Sequence, residues 1–283
     1  MTKIKLGIIL EDAARLAGRD STFNPIPLGW KVLAAMSLNA GIRDLAAEKF
    51  PMMQRVEFRR YRPDWRQGVG YRAGNEVWYK TDYYRANKST AANPDGSEDW
   101  KKLEDGDVAA FIEFAQPWEN TIIDPGGLDY TAFAYVTDPR YNPAATPISG
   151  CAMSSLGVLI PAPAPKGVWV KFVPEFPTVS FSDWAGGTEY APGDVVYLES
   201  EKEVYQALKA TSDKPSAESE SWQAVRINRE FQTYLTRLVA ADFLTEDQGK
   251  YQTRAAAASE LETLHERYIH GVGSRRAKVG RFV

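Results

Sequence analysis

The feature of this chain that most constrains its fold is a short segment that occurs twice, at residues 64–100 and 183–222. Each copy begins and ends near a tryptophan and carries Tyr-x-x-Gly, a Val three residues later and then Tyr-x-Ala. Spacing from the first Trp to the Val is identical, and insertions fall only where turns are expected. Eight positions matched in order predict two copies of one structural unit. They are Trp65, Tyr71, Gly74, Val77, Tyr84, Ala86, Pro94 and Trp100, then Trp184, Tyr190, Gly193, Val196, Tyr205, Ala207, Pro215 and Trp222.

Each copy has the pattern of a small all-β module. A strand, "NEVWY" or "DVVYL", follows the glycine, and a hairpin turn leads to a return strand, "YYRA" or "VYQA". So few residues bury little surface, so aromatic side chains must supply much of each core. We therefore expect the module aromatics to form either this core or a platform for a ligand. They are Trp65, Tyr71, Trp78, Tyr84, Trp100, Trp184, Tyr190, Tyr197, Tyr205 and Trp222.

The repeated pattern resembles the small carbohydrate-binding modules of chitinases and cellulases. Their signature is a Trp, a Tyr-x-x-Gly-Asp-x-Val and a Tyr-x-Ala. The second copy keeps Gly193-Asp194, whereas the first has Gly74-Asn75. The resemblance implies that exposed aromatic rings stack on sugar rings. The other interpretation is a decoration or interaction unit without a sugar ligand, and the sequence leaves both open.

Helical periodicity marks both ends of the chain. One helix is predicted to end at Gly18, and a second to run from about Leu28 to Lys49. After the second module, two amphipathic helices separated by "TEDQG" predict an αα-hairpin. The apolar residues that indicate the four helices are, in order, Leu6, Ile9, Leu10, Ala13, Leu16 and Ala17; Val32, Leu33, Met36, Leu45 and Ala46; Phe231, Tyr234, Leu235, Leu238, Val239 and Ala241; and Tyr251, Ala255, Ala258, Leu261, Leu264 and Tyr268.

Between the two copies the chain is β-rich. The runs "DVAAFIEF" and "GVWVKFVPEF" predict an antiparallel sheet, and the prolines between them exclude a helix interior. We predict an α+β fold, in which helices from both termini form one body and residues 51–226 project from it as a β-rich insertion. The predicted parts are N-terminal helices (1–50), module 1 (61–103), a β-rich insertion with a Pro-rich excursion (104–181), module 2 (182–225), a C-terminal helical hairpin (226–270) and a basic extended arm (271–283).

Composition narrows the function. The net charge of −3 and the sequence pI near 5.6 argue against a general nucleic-acid-binding surface. No run of eighteen apolar residues occurs, so no membrane association is expected. A single cysteine, Cys151, excludes an internal disulfide framework, and the chain is expected to be made in a reducing cytoplasm.

Catalytic motifs are not evident. The two histidines, His265 and His270, are five residues apart, which places them about 140° apart on a helix and makes them a poor metal pair. A hydrogen-bonding or cationic role near a helix end is preferred for them. The segment "GVGYRA" matches a dinucleotide fingerprint only formally, because no strand precedes it. We predict no catalytic, cofactor or metal site and no enzyme, although a glycosidase stays open because two acids can come from anywhere in a chain.

Two stretches resemble the head–tail connector proteins of tailed bacteriophages, which are called adaptors or neck proteins. Residues 168–207 are similar to segments of phage structural proteins in which an aromatic strand with prolines leads into the module. Residues 238–264 resemble the paired C-terminal helices of adaptors, with alanine-rich faces around an acidic-Gln-Gly turn. The resemblance implies a virion structural protein of the head–tail interface, made in the host bacterial cytoplasm, that joins capsid to tail.

The same resemblance implies its partners. Adaptor bodies form a ring below the twelve-subunit portal protein, so a homo-oligomer, by resemblance a dodecamer, is expected. Tail or nozzle proteins would be further partners, and double-stranded DNA would pass through the lumen without specific binding. A C-terminal arm would dock into the portal, although a frayed, solvated terminus fits the sequence equally well. The arm residues are Arg275, Arg276, Lys278, Arg281, Phe282 and Val283.

An alternative function remains at this stage. The modules would make the chain a carbohydrate-binding surface or tail adhesion protein of the virion. This carbohydrate-binding alternative predicts that the protein is retained on glycans and that retention weakens when Trp78 or Tyr197 is replaced by Ala. The connector hypothesis predicts instead a ring with the portal and loss of portal binding when residues 271–283 are deleted.

Overall fold

The computed structural model describes residues 2–18, 26–48, 50–104, 106–114, 133–142, 144–161 and 166–270, with the backbone alone for His270. Within these ranges, no helix is long and apolar enough to cross a membrane. All residues of the predicted arm lie outside the described residues. They are Arg275, Arg276, Lys278, Arg281, Phe282 and Val283.

Over the described residues the chain forms four α-helices and several small antiparallel sheets, which confirms the predicted α+β class. The chain forms short strands between two helical ends, as its Pro- and Gly-rich middle favours. In chain order the elements are β1 (Lys3–Lys5), α1 (Leu6–Leu16), α2 (Leu28–Ala47), β2 (Arg55–Arg59), β3 (Glu76–Tyr79), β4 (Asp82–Ala86), β5 (Trp100–Lys102), β6 (Phe111–Glu113), β7 (Ala134–Tyr135), β8 (Ala152–Met153), β9 (Gly157–Leu159), β10 (Val168–Phe172), β11 (Val195–Leu198), β12 (Glu203–Ala207), β13 (Trp222–Asn228), α3 (Gln232–Phe243) and α4 (Asp247–His265).

The chain divides into two compact units. Unit 1 comprises Met1–Met53 and Phe176–Val283, and unit 2 comprises Gln54–Glu175. The sequence predicted that residues 51–226 project together from the helical body. Instead, module 2 belongs to unit 1, because one face of its sheet shares a hydrophobic core with the helices.

Helix α3 is the centre of unit 1, and α1 and α2 pack against it. Trp30 near the start of α2 stacks on Phe243 at the end of α3, with ring centroids 4.1 Å apart. Gly41, further along α2, lies so close to Leu235 and Leu238 that a Cβ there would meet their methyl groups at 2.8 and 2.6 Å. These contacts show that α2 and α3 are antiparallel. Glycine at 41 permits the close approach.

Helices α3 and α4 form the predicted αα-hairpin. Arg254 in α4 donates to Asp242 near the end of α3 at 2.7 Å, and Arg237 in α3 donates to the carbonyl oxygen of Ala256 at 3.1 Å. The two helices are therefore antiparallel. Since α2 is also antiparallel to α3, α2 and α4 run in the same direction.

The sheet of unit 1 joins the chain's N-terminal region to module 2. Its strand order is β1-β13-β12-β11, and β1 pairs with the end of β13. The Glu203 carboxylate in β12 is fully buried and accepts from Arg226 at 2.7 Å, with Lys5 at 3.4 Å. A buried carboxylate needs such partners to offset its lost hydration. The ion triad therefore links β1, β12 and β13.

In the described part of unit 2 the strands form three three-stranded sheets, with orders β2-β10-β7, β6-β9-β8 and β3-β4-β5. The predicted β-rich runs form β6 and β10, which confirms their strand assignment. They belong to different sheets, however, because β10 pairs with β2 and β7 whereas β6 pairs with β9. The sheet of β3, β4 and β5 is module 1. The side chains on one of its faces, Trp78, Tyr83 and Leu103, belong to the hydrophobic core of this unit.

Candidate assembly surfaces

The two modules have the same internal hydrogen bonds, which confirms the repeat read from the sequence. In each, a tyrosine before the first strand exchanges two backbone hydrogen bonds with a threonine after the second. The closing tryptophan in each donates its indole N–H to a loop carbonyl oxygen at 2.9 or 3.0 Å. The equivalent pairs are Tyr71 with Thr90 and Tyr190 with Thr211 for the backbone bonds, and Trp100 with Ala92 and Trp222 with Asp213 for the indole bonds.

The glycine and the polar residue after it form the turn that opens each module strand. Gly74 and Gly193 have φ values of 88° and 96°, which a residue with a Cβ adopts only with strain. The Asn75 side-chain oxygen accepts from a backbone N–H at 2.8 Å, and an Asp194 carboxylate oxygen does the same at 2.7 Å. Asn and Asp serve equally here, because both offer an oxygen acceptor. The turn thus explains why the two copies differ at this position.

Each module sheet has two faces with different partners. One face forms the module's own small core, which is separate from the larger core of its unit. The opposite face packs into the core of the unit, and the same three sequence positions are used in both copies. We call this the docking face of each module. Its residues are Trp78, Tyr83 and Leu103 in module 1, and Tyr197, Val204 and Val225 in module 2.

The structure brings the predicted module aromatics together as core residues. Stacking on a sugar requires an open ring face, yet Trp78 and Tyr197 are only 8% and 3% exposed. A sugar platform made of these two rings is therefore excluded by their position on the docking faces. The others are buried or half-buried: Tyr71, Trp100, Tyr205 and Trp222 are buried, and Trp65, Tyr84, Trp184 and Tyr190 are half-buried.

Helix α1 lies directly on the hairpin turn of module 2. The Cα of Gly7 faces the Lys202 carbonyl oxygen so closely that a Cβ at residue 7 would be 2.5 Å from it. Lys202 has a positive φ of 54°, and its ammonium group pairs with Glu11 of α1 at 2.7 Å. The backbone of the module 2 turn is therefore in direct contact with α1.

A buried lysine fastens α2 to module 2. The Lys31 side chain is 4% exposed, and its ammonium group lies 2.8 Å from Asp183 and 3.4 Å from Glu199. It also lies over the Tyr197 ring, 5.2 Å from the centroid. A desolvated cation is stable only with such partners. This cluster and the α1 contact make the helices and module 2 one packed body.

One face of α2 is apolar and exposed. We call it the α2 stripe; it consists of Leu28, Val32, Leu33 and Met36. The sequence used the last three of these to predict the helix, but the side chains that α2 buries on the core side include Ala34, Leu38 and Leu45. A helix that is apolar on more than one side usually has more than one partner. The exposed fractions are 71% for Leu28, 51% for Val32, 39% for Leu33 and 64% for Met36.

The outer face of α4 also differs from the prediction. The sequence placed Tyr251, Ala255 and Ala258 on the buried face, but all three are exposed, Tyr251 by 76%. The helix buries Ala257 and Leu264 instead, because the pairing of α4 with α3 sets its rotation. We call the exposed residues Tyr251, Ala255, Ala258 and Glu262 the α4 outer face. Helical geometry places these four within about 60° of one another.

Outside these surfaces, burial or a charged partner determines the state of several titratable side chains. Burial raises the pKa of the Cys151 thiol and that of Tyr83 to about 12, which keeps both groups neutral. The His265 imidazole lies 3.3 Å from the Glu48 carboxylate, in agreement with a hydrogen-bonding role near the helix end. Among the described residues, no group of three or more His, Cys, Asp and Glu side chains is placed to hold a metal ion.

No family model, curated protein or solved structure matches this chain. Its function therefore has to be inferred from its own residues. Among the described surfaces, the α2 stripe is the best candidate for an interaction site, because solvent-exposed apolar clusters of this kind mark such sites.

Proposed function

We propose that this chain is a bacteriophage virion structural protein, a head–tail connector adaptor that assembles as a ring on the portal and joins capsid to tail. The observation that carries the proposal is the α2 stripe. Four of the exposed large apolar side chains of unit 1 lie together on the first three turns of one helix. A subunit that works by holding neighbours needs such a surface.

The packing of unit 1 supports the same function. Residues from both ends of the chain meet in one hydrophobic core, which β1 and the Glu203 ion triad also hold together. Both modules bury their docking faces against their own unit instead of extending as separate ligand-binding domains. A closely packed unit such as unit 1 suits a subunit repeated around an axis, where each contact must recur with the same geometry.

The proposal also assigns the C-terminal arm to the portal. Residues 271–283 carry four cations and no acid, and they end in Phe282-Val283. A basic segment with an apolar end can bind an acidic groove that contains an apolar pocket. The arm begins directly after the C-terminal helical region of unit 1, so it would be anchored to the ring-forming body.

Electron microscopy with the portal protein of the same phage tests the proposal. We expect rings of this chain on the portal, and loss of portal binding when residues 271–283 are deleted. A full-length variant with Arg275, Arg276, Lys278 and Arg281 all replaced by Gln is the matched control, because it keeps the length and the apolar end. It should bind the portal more weakly and with less dependence on salt.

The outcomes are distinct. Portal rings that depend on the arm support the function. A full-length chain that shows no association with the portal in binding assays or in micrographs would contradict it. Retention on immobilised glycans by the same preparation would favour the carbohydrate-binding alternative.

A further inference from the structure

We propose that the α2 stripe of one subunit binds the α4 outer face of a second copy of this chain, head to tail. The inference rests on the proposed ring and names the two surfaces that build it. Both surfaces belong to unit 1, and both are exposed. The proposed occupant of the stripe is another molecule of the same protein, as the size and charge of the two faces indicate.

The two faces are complementary in size. Leu28, Val32 and Met36 are spaced by four residues, so their side chains form a continuous ridge along α2. On α4, Ala255 and Ala258 present only methyl groups next to the larger Tyr251. Small residues let a neighbouring helix approach closely, so the α2 ridge fits along this part of α4.

Charge complementarity fixes a register. The exposed Arg43 follows Met36 by seven residues on the same face of α2, and the exposed Glu262 follows Ala255 by seven residues on α4. Seven residues span about 10.5 Å in both helices. Placing Met36 over Ala255 therefore brings Arg43 opposite Glu262 when the two helices are parallel. Among the described residues, Arg43 donates through Nε to the Asn39 carbonyl oxygen of its own helix at 3.2 Å, and the ion pairs of α4 with α3 are made by Lys250, Arg254 and Glu260 rather than by Glu262.

Helix direction agrees with this pairing. Within one subunit α2 and α4 run in the same direction, because each is antiparallel to α3. Subunits related by rotation about an axis parallel to these helices would present α2 and the neighbour's α4 in parallel. A contact between two different surfaces repeats from subunit to subunit and closes into a ring when its rotation is a whole fraction of a turn without a rise along the axis, whereas a contact of one surface with itself stops at a dimer.

Disulfide trapping tests the pairing in the full-length protein. A Cys151→Ser background removes the native thiol, and Met36→Cys and Ala255→Cys are added together. We expect diamide oxidation to produce a ladder of dimers, trimers and larger species on non-reducing gels, because each chain carries both halves of the contact. A disulfide requires Cβ atoms about 3.5–4.5 Å apart, so the ladder reports the register.

Single-cysteine variants provide the controls. Neither the Met36→Cys chain nor the Ala255→Cys chain should cross-link with itself, whereas a mixture of the two should stop at dimers. Pairing Met36→Cys with Gln252→Cys, about 60° round α4 from Ala255, should abolish the ladder. Met36→Cys dimers formed alone would overturn the head-to-tail contact in favour of a symmetric one, and no cross-link in any combination would also overturn it.

A charge exchange tests the same contact without cysteines. Arg43→Glu and Glu262→Arg should each weaken self-association about fivefold, as expected for an exposed ion pair, and the double variant should recover it. Sedimentation measures all four proteins. Additive losses in the double variant would show that the two charges do not meet.

These experiments separate the contact from the portal proposal. Deleting residues 271–283 should leave the cross-linked ladder unchanged, because the arm takes no part in the α2–α4 contact. A ladder without portal binding keeps the contact and removes the adaptor function. Portal rings that form with no α2–α4 cross-link do the reverse.

Discussion

Replacing Gly7 with alanine tests whether module 2 is part of the body formed by the terminal helices. A Cβ at residue 7 would be 2.5 Å from the Lys202 carbonyl oxygen, whereas ordinary contacts begin at 3.4 Å. The first turn of α1 would have to move by the difference, 3.4 − 2.5 = 0.9 Å, away from the module. The obstacle is backbone in a left-handed turn, with φ of 54° at Lys202, so it cannot rotate aside as a side chain would.

The magnitude follows from two opposing effects. Alanine stabilises a helix by up to about 1 kcal/mol relative to glycine, while overpacking costs about 1–3 kcal/mol. Displacement of α1 also weakens the Lys5 bond to the Glu201 carbonyl oxygen at 2.9 Å. Because the clash is with backbone, we expect the upper half of the overpacking range to apply and a net loss of about 1–2 kcal/mol for Gly7→Ala.

Gly29→Ala is the matched control. Gly29 is the second residue of α2, as Gly7 is the second residue of α1, but a Cβ there meets nothing within 4 Å. This variant should gain about 0.5–1 kcal/mol. Urea unfolding at low protein concentration measures the free energy of unfolding of both variants. Hydrogen exchange is then measured in peptides from α1 and β12. If Gly7→Ala were as stable as Gly29→Ala, α1 would not lie on the module 2 turn.

Two further predictions concern charged groups. Lys31→Met should cost less in urea unfolding than Asp183→Ala with Glu199→Ala, because the double variant leaves a buried ammonium group without its two carboxylates, at about 1–3 kcal/mol since both carboxylates are partly exposed; equal losses would contradict the burial of Lys31. A hydrogen bond from Lys102 lowers the pKa of Asp82 from 3.8 to about 2. The ionised Asp82 therefore stabilises the folded state fully above pH 3.8, and this contribution is lost as the pH falls through about 2. Asp82→Asn should therefore be less stable than wild type at pH 7 and equal to it below pH 2, and a constant difference would refute the assignment.

The parts of the fold that local spacing determines were predictable. Trp65 and Trp184 opened a repeat whose spacing reflects a turn with φ above zero and a cross-strand tyrosine–threonine pair. In α1 and α3 the apolar periodicity identified the buried face, because each has one main apolar side. Leu10 and Leu235 lie in the core as predicted, whereas Leu16 at the end of α1 is 54% exposed.

The parts that depend on distant partners were not predictable. Helix α2 is apolar on two sides, so periodicity could not choose between Leu38, which is buried, and Met36, which is exposed. On α4, alanines lie on both faces, and Ala257 and Ala258 differ only in how α3 meets them. The α2 stripe could have been predicted from the sequence only by counting the apolar residues on every side of the helix.

The placement of module 2 in unit 1 also lacked a local signal. Besides the docking face of the module, it depends on β1, a strand of only three residues, Lys3–Lys5, which is too short for alternation to be recognised. The Gly7 contact with the module is equally invisible in the sequence, because a glycine near a helix start has several explanations. Both features appear only when residues far apart in the chain are brought together.

The pairing of β1 with β13 sets an order of events during synthesis. Lys5 meets Arg226, 226 − 5 = 221 residues later, which at 5–20 residues per second takes roughly 11 to 45 s to translate. Gln54–Glu175 leaves the ribosome complete within that interval. Because domains generally fold as units, Gln54–Glu175 has the time to fold before β13 exists, whereas the core that the opening helices share with the later residues is complete only after β13 and α3 have been made.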